Sequence, residues 1–323
     1  MASVSRATPF GMPLMVLGSL MGQGNVFYVK PNTGNDNADG LSLASAVKTL
    51  AQALKLATAN QNDIICLVSE SNTAGNTTDY QSATLDWNKD LVHLVGIGSN
   101  PNFSNRARIA QLSTATGVSP LFKLSANGCI VKNVSFFHGV NDATSLVCME
   151  VTGARNVIED CHIAGIGNAT MVTSGAASLK LTAAQENLFK RCTVGLDTIS
   201  RDNSTNGEIW CITAATRNTF EDCMIDAYVS HAGYTHVKLG TNGIDRTLRF
   251  KNCLFMAKSS NKAISQTSVF SIPAISQGAI VLQKTVAFSD GGAVAWDSNA
   301  RGIIWNDAAA AAASAAGGIL TNQ

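Results

Sequence analysis

Charge is scarce in this chain of 323 residues. Asp, Glu, Lys and Arg make up 14% of it, where about a quarter is usual, and they sum to +1. A nucleic-acid or polyphosphate surface needs a basic face, so this balance argues against both partners. The eight cysteines include no CxxC spacing, the usual mark of a zinc site. The apolar run Phe10 to Met21 is broken by Gly11, Pro13 and Gly18, and is too short to span a bilayer. Only Arg6 precedes it as a basic residue and no small-x-small cleavage pattern follows, so it reads as a docking arm rather than a signal peptide. Gly96-Ile97-Gly98 follows a strand but lacks the lysine or downstream acid of a phosphate site.

What is present is a repeat. CIVKNVSF (Cys129 to Phe136), VIEDCHI (Val157 to Ile163), LFKRCTV (Leu188 to Val194), TFEDCMI (Thr219 to Ile225) and RFKNCLF (Arg249 to Phe255) are variants of one phrase. Val134, Cys161, Cys192, Cys223 and Cys253 hold the same place, at spacings of 27, 31, 31 and 30 residues. A period in this range signals a solenoid, whose units bury their apolar sides only by stacking on one another. Abundant hydrophobic residues (46%) and 27 glycines fit a long core with many tight turns.

Set in register, the repeat separates into columns. Val131, Ile158, Phe189, Phe220 and Phe250 precede the anchor by three residues, and Phe136, Ile163, Val194, Ile225 and Phe255 follow it by two. Both sets point inward, stacked at about 4.8 Å. The cysteines form a column of free thiols, acting as small hydrophobes. Asn156, Asn187 and Asn218 mark a turn, where asparagine tolerates the left-handed conformation and bonds local backbone. Facing out, Lys132, Glu159, Lys190, Glu221 and Lys251 alternate in sign, which predicts a ladder of ion pairs worth roughly 0.2–1 kcal/mol each. Another outward column, Ser135, His162, Thr193, Met224 and Leu254, grows apolar and predicts a covered surface towards its far end.

The opening of the chain carries a resemblance. Tyr28-Val29 begins a strand; Pro31, Gly34, Asp36, Asp39 and Gly40 punctuate a loop; apolar residues at helical spacing predict a helix over 44–58; Asp63, Ile65 and Leu67 begin the next strand. With the repeats, this resembles the pectin-lyase-like superfamily of right-handed parallel β-helices over about 26–290. The resemblance implies an all-β fold, a parallel β-helix with an N-terminal capping α-helix. The expected organisation is an apolar arm at 1–25, a β-helix domain at 26–306 and an Ala-rich tail at 307–323 that packs as a strand or helix against a partner.

The superfamily includes lyases, hydrolases, tailspikes and non-enzymatic virion proteins, so chemistry must come from side chains. A calcium-dependent lyase needs converging carboxylates, yet the pairs Glu159-Asp160 and Glu221-Asp222 are two strands apart, about 9–10 Å. Glycoside hydrolysis needs two carboxyls, for which Asp197 and Asp202 beside Arg201 are candidates. Asp226, Tyr228, His231, Tyr234 and His236 form the candidate glycan-binding set, because rings stack on sugars and Asp or His can move protons. Their alternative is an ordinary polar loop packed on the next coil. No cofactor, metal or catalytic set is expected.

These observations lead to the expectation of a non-enzymatic structural protein of a tailed phage, a capsid decoration (cement) protein on the virion, made in the host cytoplasm. The resemblance implies a homotrimer. Its partners would be the major capsid protein or another virion protein, with no nucleic acid and no membrane. Phe10, Met12, Leu14, Met15, Val16, Leu17 and Leu20 would make the contacts. The alternative is a tailspike-like receptor-binding protein that binds or depolymerises bacterial surface polysaccharide.

Overall fold

The protein is described from a computed structural model, which covers residues 24–98, 103, 105–167, 176–202, 207–240, 242–259, 264, 266–272, 278–292, 294–297, 303–305 and 319–321. The chain winds as a right-handed parallel β-helix. Each coil gives one strand to each of three sheets, as in Val147–Val151 (sheet C), Val157–Glu159 (sheet A) and His162–Ile166 (sheet B). Among the described residues sheet A has 10 strands, sheet B 9 and sheet C 8. The arm residues Phe10, Met12, Leu14, Met15, Val16, Leu17 and Leu20 lie outside the described residues.

The inward columns stand in the predicted register. Val131, Ile158, Phe189, Phe220 and Phe250 align rung by rung and are fully buried. Phe189 stacks on Phe220 at 4.6 Å between ring centroids, and Phe220 on Phe250 at 4.9 Å, close to the spacing of the strands that carry them. All eight cysteines are buried and unpaired. Each anchoring thiol donates to main-chain carbonyls, Cys192 to Ile158 at 3.3 Å and Cys223 to Phe189 at 3.4 Å. Burial pushes the Cys211 thiol up to about 12, so it holds no reactive thiolate at neutral pH.

Asparagine does something other than the sequence reading expects. The left-handed residues are the ones just before it, Arg155, Glu186 and Arg217, with φ of 57°, 56° and 53°. The Asn side chains point inward as a ladder: Oδ1 of Asn187 accepts from the Asn156 N–H at 2.9 Å, and Nδ2 of Asn187 donates to the Gly153 carbonyl at 3.1 Å. They satisfy turn amides that the core would otherwise strand.

The charge ladder on sheet A is present. Lys132 meets Glu159 at 3.0 Å, and Lys251 meets Glu221 at 2.8 Å. The neighbouring column of Asn133, Asp160, Arg191, Asp222 and Asn252 is the left-handed turn into sheet B. Arginine is a costly choice there, and its side chain compensates with two bonds to Asp160, at 2.7 and 3.0 Å, and one to Glu159.

At the N-terminal end the helix is shorter than predicted, Leu50–Leu56 rather than 44–58. Val47 instead bridges Val29 in parallel, protecting the edge of the first strand. The apolar spacing misleads because Ala46 and Val47 are buried in two different places, an outer cluster and the core. The residues of the opening motif are structural. Asp36 accepts from the Lys48 and Thr49 N–H groups at 2.8 and 2.9 Å, Asp39 from Leu41 at 3.0 Å, and Asp63 from Asn25 and Thr58 at 2.6 and 2.7 Å. A Cβ on Gly34 would sit 2.2 Å from the Val47 carbonyl oxygen.

Two expectations about surfaces are corrected. The described tail strand Ile319–Thr321 packs on this chain itself, antiparallel to Val286–Ser289, where it ends sheet B. In the outward column of sheet B it is the polar half, Ser135, His162 and Thr193, that is buried, while Met224 and Leu254 are half-buried. The Phe103 ring covers His162 edge-on at 5.4 Å.

Candidate functional site

Sheet B departs from regularity in its middle coils. Thr193–Arg201 and Met224–Val229 pair in register from Thr193 to Leu196, slip, and resume at Ser200. The extra residues are Asp197, Thr198 and Ile199. The slip places Asp197 on the outer face beside Asp226, which pairs in register with Gly195 and Met256.

Asp226 is 3% exposed, and its Oδ1 has no hydrogen-bond partner. Burial, then the charges of Asp197 and Glu208, push its carboxyl up to about 7, against the pull of Lys258. Lys258 Nζ lies 3.9 Å from Asp197, an open contact between half-exposed side chains. A neutral carboxyl beside a more exposed one is the division of labour of an acid–base pair.

Behind this face lies a buried ionic knot. Glu208 is 0% exposed and accepts from Arg201 Nε at 2.8 Å, from the Tyr234 hydroxyl at 2.6 Å, and from Ser178 Oγ. Ser178 and Glu208 occupy one column of sheet C, between strands Ala177–Thr182 and Gly207–Ile212. Gly195, at φ +104°, sits against it; a Cβ there would lie 2.0 Å from the Asp226 carbonyl oxygen and 2.9 Å from Glu208 Cδ. Any larger residue would push the two elements apart.

The five candidate glycan-binding residues are therefore divided. Asp226 and the half-buried Tyr228 lie on the outer face of sheet B. His231 is exposed, with Nδ1 accepting from the Gly233 N–H at 3.1 Å in a turn. Tyr234 and His236 are interior. His236 Nε2 donates to the Met256 carbonyl at 2.9 Å, its Nδ1 accepts from Gln266 at 3.1 Å, and burial lowers its basicity. Arg201 does not bridge Asp197 and Asp202: it is tied to Glu208, while Asp202 is exposed. Sequence reasoning missed Glu208 and Ser178. Their only signal is their place in sheet C, one residue before the inward pair Leu179 and Ile209.

Neither a protein-family model nor a curated protein matches this chain. Solved structures do. Pectate lyase Pel9A superposes with a TM-score of 0.56 at 12% identity, over 81% of this chain and 62% of that one. A rhamnogalacturonan lyase superposes with a TM-score of 0.53 at 14% identity, over 82% and 69%. This chain thus spans less than two thirds of Pel9A. At such identity the likeness establishes the parallel β-helix fold and nothing about chemistry.

Proposed function

We propose that this chain is a non-enzymatic structural component of a tailed-phage particle, a capsid decoration protein that assembles as a homotrimer on the major capsid protein or another virion protein. The observation that carries the reading is how the outward polar side chains are used. On sheet A they answer one another from coil to coil, Lys132 to Glu159 and Lys251 to Glu221, as a scaffold requires. Tyr234 and His236, candidates for sugar contact, are consumed by internal bonds. The apolar run Phe10 to Met21 in the sequence suits packing against another protein. Quantitative mass spectrometry of purified particles tests it: many copies per particle, lost on deleting residues 1–22, are expected. A few copies, or incorporation unchanged by the deletion, would overturn it.

A second reading, a tailspike-like receptor-binding protein acting on bacterial surface polysaccharide, is favoured by one feature, the pairing of buried Asp226 with Asp197. It predicts release of oligosaccharide from host surface glycan, abolished by Asp226→Asn and by Asp197→Asn. Intact glycan after exposure to the wild-type protein would sink it.

A further inference from the structure

The outer face of sheet B is charged unevenly along the helix axis. From Leu91 to Asn141 the sequence contains no Asp or Glu; of the basic residues in that stretch Arg106 and Arg108 fall at sheet B, while Lys123 and Lys132 lie on the other two sheets. Arg108 lies on sheet B, on strand Arg108–Gln111, between Thr78 and Ser135 in register. Its guanidinium stacks on the Phe137 ring at 4.2 Å, and its Nε is buried with no acceptor. Burial weakens its basicity, offset by Tyr80 and aided by Arg106, and among the described residues it forms no ion pair with a carboxylate. A half-buried guanidinium whose Nε has no acceptor gains from a partner that supplies one.

Among the described residues five large hydrophobic side chains are exposed; of these Tyr80 (46%) lies on the neighbouring strand within reach of the Arg108 charge, while Phe103 (40%) lies over His162 two strands further along. Further along the same face half-exposed Asp197 holds Lys258 only at an open 3.9 Å, with buried Asp226 behind it. Half-buried Met224 and Leu254 continue the surface there. His162 lies between the two ends and feels the charge of both Arg108 and Asp197. Arg108 and Thr193 stand in one column, three strand spacings or about 14 Å apart.

We propose that two copies of this chain pair through the outer faces of sheet B, axes antiparallel about a two-fold, with Arg108 of each copy against Asp197 of the other. A two-fold contact must be self-complementary, and a face with Arg108 on an aromatic ring at one end and loosely held Asp197 at the other brings the two together only when reversed on itself. An exposed Tyr near an Arg that stacks on a Phe ring has the composition of an interface centre. Thr78 and Ser135, the polar side chains that flank Arg108 in register, are buried, which favours a protein over a glycan as the occupant. The contact goes beyond the particle reading and does not depend on it. It yields a dimer, or a hexamer if it joins two of the proposed trimers.

Light scattering and native mass spectrometry of the purified full chain test this. An even number of copies is expected. Arg108→Glu and Asp197→Arg should each weaken self-association by about tenfold or more, and the double reversal Arg108→Glu/Asp197→Arg should recover most of it. Tyr80→Ser, at an exposed site that leaves the core intact, should weaken it as well. Thermal unfolding of each variant reports whether the fold is kept. A wild-type mass of one or three copies would overturn the pairing, and three copies would do so while leaving the particle reading standing. Reversals that leave the mass unchanged, or a double variant no better than the singles, would also overturn it. So would a monomer whose Arg108→Glu variant loses retention on an acidic-polysaccharide resin, which would assign the patch to a glycan.

Discussion

The outer faces of sheets A and B are built on the same repeat but use their side chains in opposite ways. On sheet A outward charges meet counterparts one coil away, Lys132 with Glu159 and Lys251 with Glu221, and register runs without a slip from Leu188 to Lys251. On sheet B the strands lengthen and slip, Asp226 is buried with an unpaired oxygen, and Arg108 rests on a ring instead of an acid. A side chain answered by its neighbour has no capacity left for a ligand. Regularity marks scaffold here, and broken register marks the places where binding can occur.

The contrast can be broken most severely at the knot behind sheet B. Glu208→Ala removes the carboxylate that answers the buried charge of Arg201, and should cost about 3–5 kcal/mol in denaturant unfolding. A loss near zero would mean that the knot is not what holds the irregular coils. Asn187→Ala tests the regular part. It strands the Asn156 N–H and should cost about 1–3 kcal/mol, a loss confined to the turn that leaves sheet B unaffected.

The third test uses pH. The fold favours the neutral form of Asp226, whose value is raised from 3.8 to about 7. The unfolded chain therefore releases its proton first, and the contribution of Asp226 to stability declines as pH rises from about 4 to about 7. Asp79, buried beneath the helix and likewise raised to about 7, acts with the same sign. His93 and His162, lowered to about 4 by burial, act the other way, costing stability as pH falls below 6.5. Asp226→Asn should flatten part of the decline and raise the melting temperature at pH 7 more than at pH 4. An equal change at both values would show that Asp226 is ionised in the folded protein. The smallest effect belongs to the ladder. Glu159→Gln should cost roughly 0.2–1 kcal/mol, and the loss should fade in high salt.

Much of the scaffold was legible because a parallel β-helix repeats one local rule. The cysteine column, the inward columns and the alternating charges each needed only the period and side-chain alternation. The helix was over-extended because Ala46 and Val47 satisfy helical spacing while packing in two separate layers. Asparagine was placed in the right turn with the wrong role, since propensity says where it is tolerated and not which neighbour takes the left-handed position.

The candidate site was legible only in fragments. Asp226 and Asp197 were both visible as residues, but Asp197 appeared to belong with Asp202 because they are close in sequence. What unites Asp197 with Asp226 is a slip between two strands, and what unites Glu208 with Tyr234 and Arg201 is the corner between two sheets. The period and the alternation of residues determine a coiled scaffold from sequence alone, because stacking energy is local to neighbouring rungs. Which polar groups end up buried, and which stay unanswered at the surface, was decided by the tertiary structure, because desolvation depends on what covers a group and not on its place in the chain.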